Sequence, residues 1–406
     1  MNKIEINSTD ETNLVNLYKS YVLKDTRSKL AFVIFIIARK QRIINEIEII
    51  YKSFSLKGIT IDNDLTPVAR KTFLNLLFND KNKIKNSNSI EYSKIGRKNS
   101  YKKSFSSYIF DIDSFVLLYS HLEDIITKRL TSFEIKTLLT KLIGKLKSTQ
   151  DQIILDFVFD YPKYFHQTKS NTSYFGVKLA KALSTNVCVY CNREYISTIL
   201  DDNGKKHISP AFDHFLSQSE YPYMAISLFN LIPSCYSCNS QLKHNKPFNI
   251  NDYLYPFEDS YEGKAEFKTY WNKSFLSPEI PESELVNVND LKIEIKPIST
   301  PEPKIFGGLS FPQNERKGNL KVFQTELVYD SIHRDSVLEI ITQFRVHSKK
   351  DIESLKTSYS FIKNDADVYQ FYFKNYLDEK DFNKRPLARM TRDIAMQINV
   401  IYNLFI

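Results

Sequence analysis

Apolar residues recur at helical spacing over most of the chain. Leu14, Leu17, Tyr18 and Tyr21 share one helix face, and the run LAFVIFIIARKQRIINEIEIIYKSF, beginning at Leu30, reads as one long amphipathic or buried helix. Thr66-Pro67 opens a further helix, PVARKTFLNLLF, because the N–H that Pro lacks has no helical partner in a first turn. The same periodicity returns between residues 108 and 183 in SFVLLYSHLEDIITKRL, SFEIKTLLTKLIGKL and DQIILDFVFDYPKYF. Towards the other end, ELVYDSIHRDSVLEIITQFRVHS, KKDIESLKTSYSFI and RPLARMTRDIAMQINVIYNLF predict a second helical region.

Between these regions the pattern changes, starting at Asn186. REYISTIL predicts a short strand, and HISPAFDHF predicts a second one after the turn DDNGKK. Asn203-Gly204 at the tip is a hairpin signal, because both residues accept the positive φ of a tight turn. YPYMAISLFNLIP is less regular, and the stretch from Ser240 to Asn245 suits a short helix ended by Pro247. Residues 250–320 read as loops with a strand or two, LKIEIKPI being the clearest. The expected fold class is α+β, mainly helical, with a small ββα core flanked by helical regions. The expected division is 1–183 (helical, with a basic linker at 81–103), 184–256 (the core) and 257–406 (loop-rich, then helical).

Composition adds limits. A chain of 406 residues has room for one to three folding units, and 42% hydrophobic with 25% charged residues is ordinary for a globular protein. With 9 Gly and 14 Pro the chain is neither repetitive nor fibrous. The net charge of +9 is unevenly spread: residues 81–103 hold eight Lys or Arg against the single acid Glu91. That segment is either a solvated loop or a stripe that binds nucleic acid or a partner, with Lys98, Lys102 and Lys103 as candidate phosphate contacts. The opening residues MNKIEINSTDETN contain no apolar signal region, and the longest apolar run, Leu30–Ile37, is too short to span a bilayer. A cytoplasmic location without membrane attachment is expected.

All four cysteines fall in two C-x-x-C pairs, Cys188/Cys191 and Cys235/Cys238, separated by 43 residues. Four thiolates at this spacing match a closed tetrahedral zinc site in ligand number and type, and such a site has no open position for catalysis. Its expected role is to brace a unit too small to be stable on its own core. Asp213-His214 lies between the pairs, followed by Asn230 and, directly after Cys238, Asn239. Phosphodiester hydrolysis needs a base to activate water and a divalent cation to neutralise developing charge, and an imidazole beside oxygen ligands suits that division. Neighbouring strand residues point to opposite faces, so Asp213 and His214 serve one site only at a strand end or bend. Asn239 opposite Asp213 would complete a hard-oxygen site selecting Mg2+ or Mn2+.

The runs CVYCNREYI, FDHFLSQSEYPYMAISLFNLIPSCYSCNSQLK and DYLYPFED resemble the HNH (ββα-metal) endonucleases of bacterial antiphage and restriction-type systems, including the HNH subunit of Septu-like systems. The likeness covers about 70 residues closely, and YDSIHRDSVLEI and KRPLARMTRDIAMQ more weakly. It implies that His214 is the general base, that Asp213 and Asn239 bind the catalytic metal, and that Asn230 holds the catalytic loop by hydrogen bonds. Many members carry His where this chain has Asn239, a departure that shifts metal preference towards Mg2+; His244 is the alternative ligand. Lys243 and Lys246 are expected at substrate phosphates, whereas His207, His121, His166, His333 and His347 read as structural. The implied function is a metal-dependent endonuclease acting on DNA, an effector of antiphage defence. Because the chain has no Walker-A run, any ATP-driven step falls to a separate ATPase subunit. Two alternatives remain: an HNH-type RNase, and a zinc-braced nucleic-acid or protein-binding module with a degenerate site.

Overall fold

The structure is a computed structural model that describes residues 1–41, 108–165, 175–202, 206–208, 210–271, 287–307 and 318–404. The helix expected at Thr66-Pro67, the basic segment with Lys98, Lys102 and Lys103, and the Asn203-Gly204 turn lie outside the described residues. The described residues are mainly helical with three two-stranded antiparallel sheets, an α+β arrangement. None of the described helices is long and apolar enough to cross a membrane.

Two compact units emerge, one comprising Met1–Glu11, Thr168–Phe215 and Leu231–Ile406, the other Thr12–Gln167 and Leu216–Asn230. This grouping differs from the expected division at residues 183 and 256. The cysteine region and the C-terminal helices share one core, and the strap 216–230 belongs with the N-terminal helices instead.

In the helical unit, Lys24–Gln41 follows a π-helical turn, Lys19–Leu23. Leu14, Tyr18, Leu30, Val33, Ile34 and Ile37 are buried, as the periodicity predicts, whereas Tyr21 is exposed and Val22 is buried in its stead. Further helices start where a polar side chain caps them: Asp111, Ser132 and Ser148 accept from the N–H of Ser114, Ile135 and Asp151. Lys29 is buried inside the unit, donating to the Phe157 carbonyl at 3.1 Å and lying 3.6 Å from Asp25. Asp25 also receives Lys163 at 2.8 Å and the Tyr164 hydroxyl at 2.7 Å. Burial pushes the Asp25 carboxyl up, but Lys29, Lys163 and Tyr164 outweigh it and hold the group below its ordinary range.

The other unit is organised around two strands, β5 (Ala265–Trp271) and β6 (Leu291–Pro297), paired antiparallel from Ala265↔Pro297 to Trp271↔Leu291. Helix side chains close both edges of this ribbon. Along β5, the Asp393 carboxylate accepts from Phe267 N, while Gln397 bonds both N and O of Thr269. Along β6, Asp330 and Glu326 accept from Ile293 N and Ile295 N. The spacing explains the fit: four helical residues rise about 6 Å, close to the roughly 6.7 Å spanned by two strand residues. Asn192, at a positive φ of 52°, ties the first cysteine pair to the last helix, Ala388–Tyr402. Its side chain donates to Phe382 O and accepts from Arg389 N, and its carbonyl accepts from Leu387 N.

The expected strand REYISTIL is shorter than its pattern suggests. Only β1 (Ile199–Leu200) pairs with β2 (Lys206–Ile208), and Tyr195 makes an isolated bridge to Val187 because the chain is bent around the first cysteine pair.

Candidate metal centre and the Asp213 site

Cys188, Cys191, Cys235 and Cys238 are buried, and their sulfurs all lie within 4.8 Å of one another. The first pair sits on a knuckle closed by Asn192 N to Cys188 O and Cys188 N to Glu194 O. The second opens the π-helical turn Ser237–Lys243, with Cys238 N pointing at the Cys235 sulfur at 3.4 Å and Asn239 N at the Cys235 carbonyl. Cys191 and Cys235 are 3.9 Å apart, sulfur to sulfur. A tetrahedron with Zn–S bonds of about 2.3 Å has S–S edges of about 3.8 Å, so the group can hold a metal ion such as zinc. Hydrogen bonds from the other three sulfurs hold the Cys191 thiol well below its ordinary range. The Tyr329 hydroxyl fixes the backbone beneath it by donating to the Cys191 carbonyl at 2.6 Å.

β3 (Ala211–His214) pairs antiparallel with β4 (Leu231–Ser234), Asp213 opposite Ile232 and His214 opposite Leu231. The sequence concealed β4, because LIPS is buried throughout and so shows no alternation, and Pro233 reads as a strand breaker. His214 is the last residue of β3 and is half-buried, the position at which the alternation rule relaxes.

Asp213 is only 3% exposed, and both its oxygens are engaged. Lys243 Nζ donates to Oδ1 at 2.9 Å, and the Tyr190 hydroxyl donates to Oδ2 at 2.6 Å. Burial, and then the neighbouring carboxylate, push the Tyr190 hydroxyl well above the ordinary phenol range, so it stays a donor. Lys243 also donates to the His214 carbonyl at 2.7 Å and lies 4.9 Å from the centre of the Phe248 ring. At 1% exposure it is an interior ion-pair partner, whereas the sequence reading expected it at a substrate phosphate. Sequence reasoning missed Tyr190 altogether. No local pattern marks it, since its partner is 23 residues away and the match exists only in three dimensions.

Asn230 is fully buried in the helical unit, where its side chain bonds the backbone of Leu216 and Met224. Asn239 is half-buried on the π-helical turn, its carbonyl accepting from His244 N at 2.8 Å. His244 is exposed, at a positive φ of 47°. The half-buried Lys246 donates to Leu242 O.

Among the described residues, the four cysteines are the sole group of three or more His, Cys, Asp and Glu side chains that could hold a metal ion. A Mg2+ or Mn2+ site at Asp213 does not fit the side chains as they stand, since Lys243 already neutralises that carboxylate and Tyr190 takes its second oxygen. No protein-family model, curated protein or solved structure matches this chain.

Proposed function

We propose that the chain is a phosphodiester hydrolase of the HNH type, acting on DNA, with a structural zinc ion held by Cys188, Cys191, Cys235 and Cys238. The observation that carries this reading is His214, the half-buried last residue of a paired strand, whose neighbour in sequence is the buried Asp213. A neutral imidazole can take a proton from water, and the backbone of His214 is pinned by the Lys243 ammonium. The zinc, with four thiolates and no open position, contributes folding energy and leaves the chemistry to the side chains. The sequence resemblance extends the proposal to a role as effector in antiphage defence, working with a separate ATPase subunit.

A second reading, a zinc-braced binding module with a degenerate site, is favoured by the engagement of both Asp213 oxygens. Incubating the zinc-loaded protein with plasmid, single-stranded DNA and total RNA, with Mg2+, Mn2+ or EDTA, separates the readings. Cleavage of DNA is expected. Cleavage of RNA alone makes the protein a ribonuclease, and binding without cleavage of either favours the module.

A further inference from the structure

We propose that Lys243 is the resident cation of the Asp213 carboxylate and that, in this conformation, it excludes a divalent ion from it. The geometry stands by itself; only its meaning for catalysis rests on the hydrolase reading. An ammonium has three N–H donors and no acceptor. One is taken by Asp213 Oδ1 at 2.9 Å and one by the His214 carbonyl at 2.7 Å, and the Phe248 ring lies 4.9 Å from the nitrogen. With 1% and 3% exposure, Lys243 and Asp213 form a pair that water does not screen.

Three features hold this arrangement in place. The π-helical turn Ser237–Lys243, closed by the bond from His244 N to Asn239 O, carries Lys243 inward, and the positive φ of His244 turns the chain away after it. Tyr190, stacked on Phe323 at 4.4 Å, fills the second carboxylate oxygen. Phe248 is itself stacked on Tyr253 at 3.8 Å, so the surface beside the ammonium is well supported. A divalent ion reaching Asp213 would meet a carboxylate already neutralised, and admitting it would require the ammonium to leave. Lys243 also bonds the His214 backbone, so its departure and the position of the imidazole are linked. Lys243 is therefore a positioning residue for His214 and a barrier to metal at Asp213.

Mn2+ binding to the zinc-loaded full chain, followed by the electron paramagnetic resonance of unbound Mn2+, tests this without reference to cleavage. Wild type and Asp213→Asn should bind Mn2+ equally weakly. Lys243→Met should gain roughly 10-fold or more, the scale on which groups bonded to a metal ligand alter affinity, and the gain should vanish when Asp213→Asn is added. The inference is overturned if Asp213→Asn weakens the binding seen in wild type, or if folded Lys243→Met shows no gain. Should Lys243→Met fail to fold, the comparison of wild type with Asp213→Asn decides alone. Failure of the hydrolase reading looks different: a Lys243→Met protein that gains Mn2+ while no variant cleaves nucleic acid refutes that reading and leaves this inference standing.

Discussion

Asn230 grips both backbone polar groups of Leu216, accepting from its N–H at 2.7 Å and donating to its carbonyl at 3.1 Å. A third bond, to the Met224 carbonyl at 3.0 Å, closes the strap around one amide. Asn230→Ala would take this partner from the buried N–H and carbonyl of Leu216, at a cost of about 2–4 kcal/mol in stability, while the Met224 carbonyl keeps its bond from Ser227 N. Asn230→Asp should be worse at neutral pH, because a carboxylate would face two carbonyl oxygens. Urea unfolding of the three proteins checks both statements.

The purified protein should contain about one zinc per chain, and Cys235→Ser should lose it along with soluble yield. Metal analysis by mass spectrometry is the measurement. Folded protein with under roughly a tenth of an equivalent would show that the four thiols are not a zinc site.

His214→Ala should keep the fold and the zinc while cleavage falls by about 10²–10⁴-fold, the usual contribution of a general base. Added Mg2+ or Mn2+ should not restore it, because proton removal is what the variant lacks. Nicking of supercoiled plasmid by His214→Ala at the wild-type rate would sink the mechanism.

Asp25 makes the helical unit sensitive to acid. Its carboxyl is held below the ordinary range, so the stability it contributes is present above the unfolded value of about 3.9 and is lost as pH falls through the lower folded value. Asp25→Asn should cost about 1–2 kcal/mol at neutral pH and flatten the acid limb of the stability curve. Thermal melts from neutral pH to strong acid read both effects, and identical acid limbs for the two proteins would exclude Asp25 as their source.

Much of this was legible in the sequence because it is local. Helical periodicity located Phe133–Leu142, Lys349–Ser358 and Ala388–Tyr402, and the cysteine spacing located the four-thiol group that could hold a metal ion. Helix breaks at His121 and His333 were missed, since the apolar spacing runs on through them. The ion pair of Lys243 with Asp213 was also hidden. A lysine near the end of a short polar helix ordinarily faces water, and only the π-helical turn and the Phe248 ring carry this one inward. The packing around residue 256 was hidden for a related reason: a loop-rich composition resembles a linker, yet Tyr253, Tyr255, Phe257 and Tyr261 are core residues.

The hold of Asn192 on the final helix bears on how this chain can be cut and recombined. The cysteine segment looks like a portable cassette, with its metal group and its Asp-His pair within a short stretch. Yet the knuckle that carries Cys191 keeps its shape through bonds to Phe382, Leu387 and Arg389, about 190 residues further on. A transplant of residues 184–256 into another scaffold would leave those bonds behind, so insertions and fusions are better tolerated elsewhere than by excising this segment.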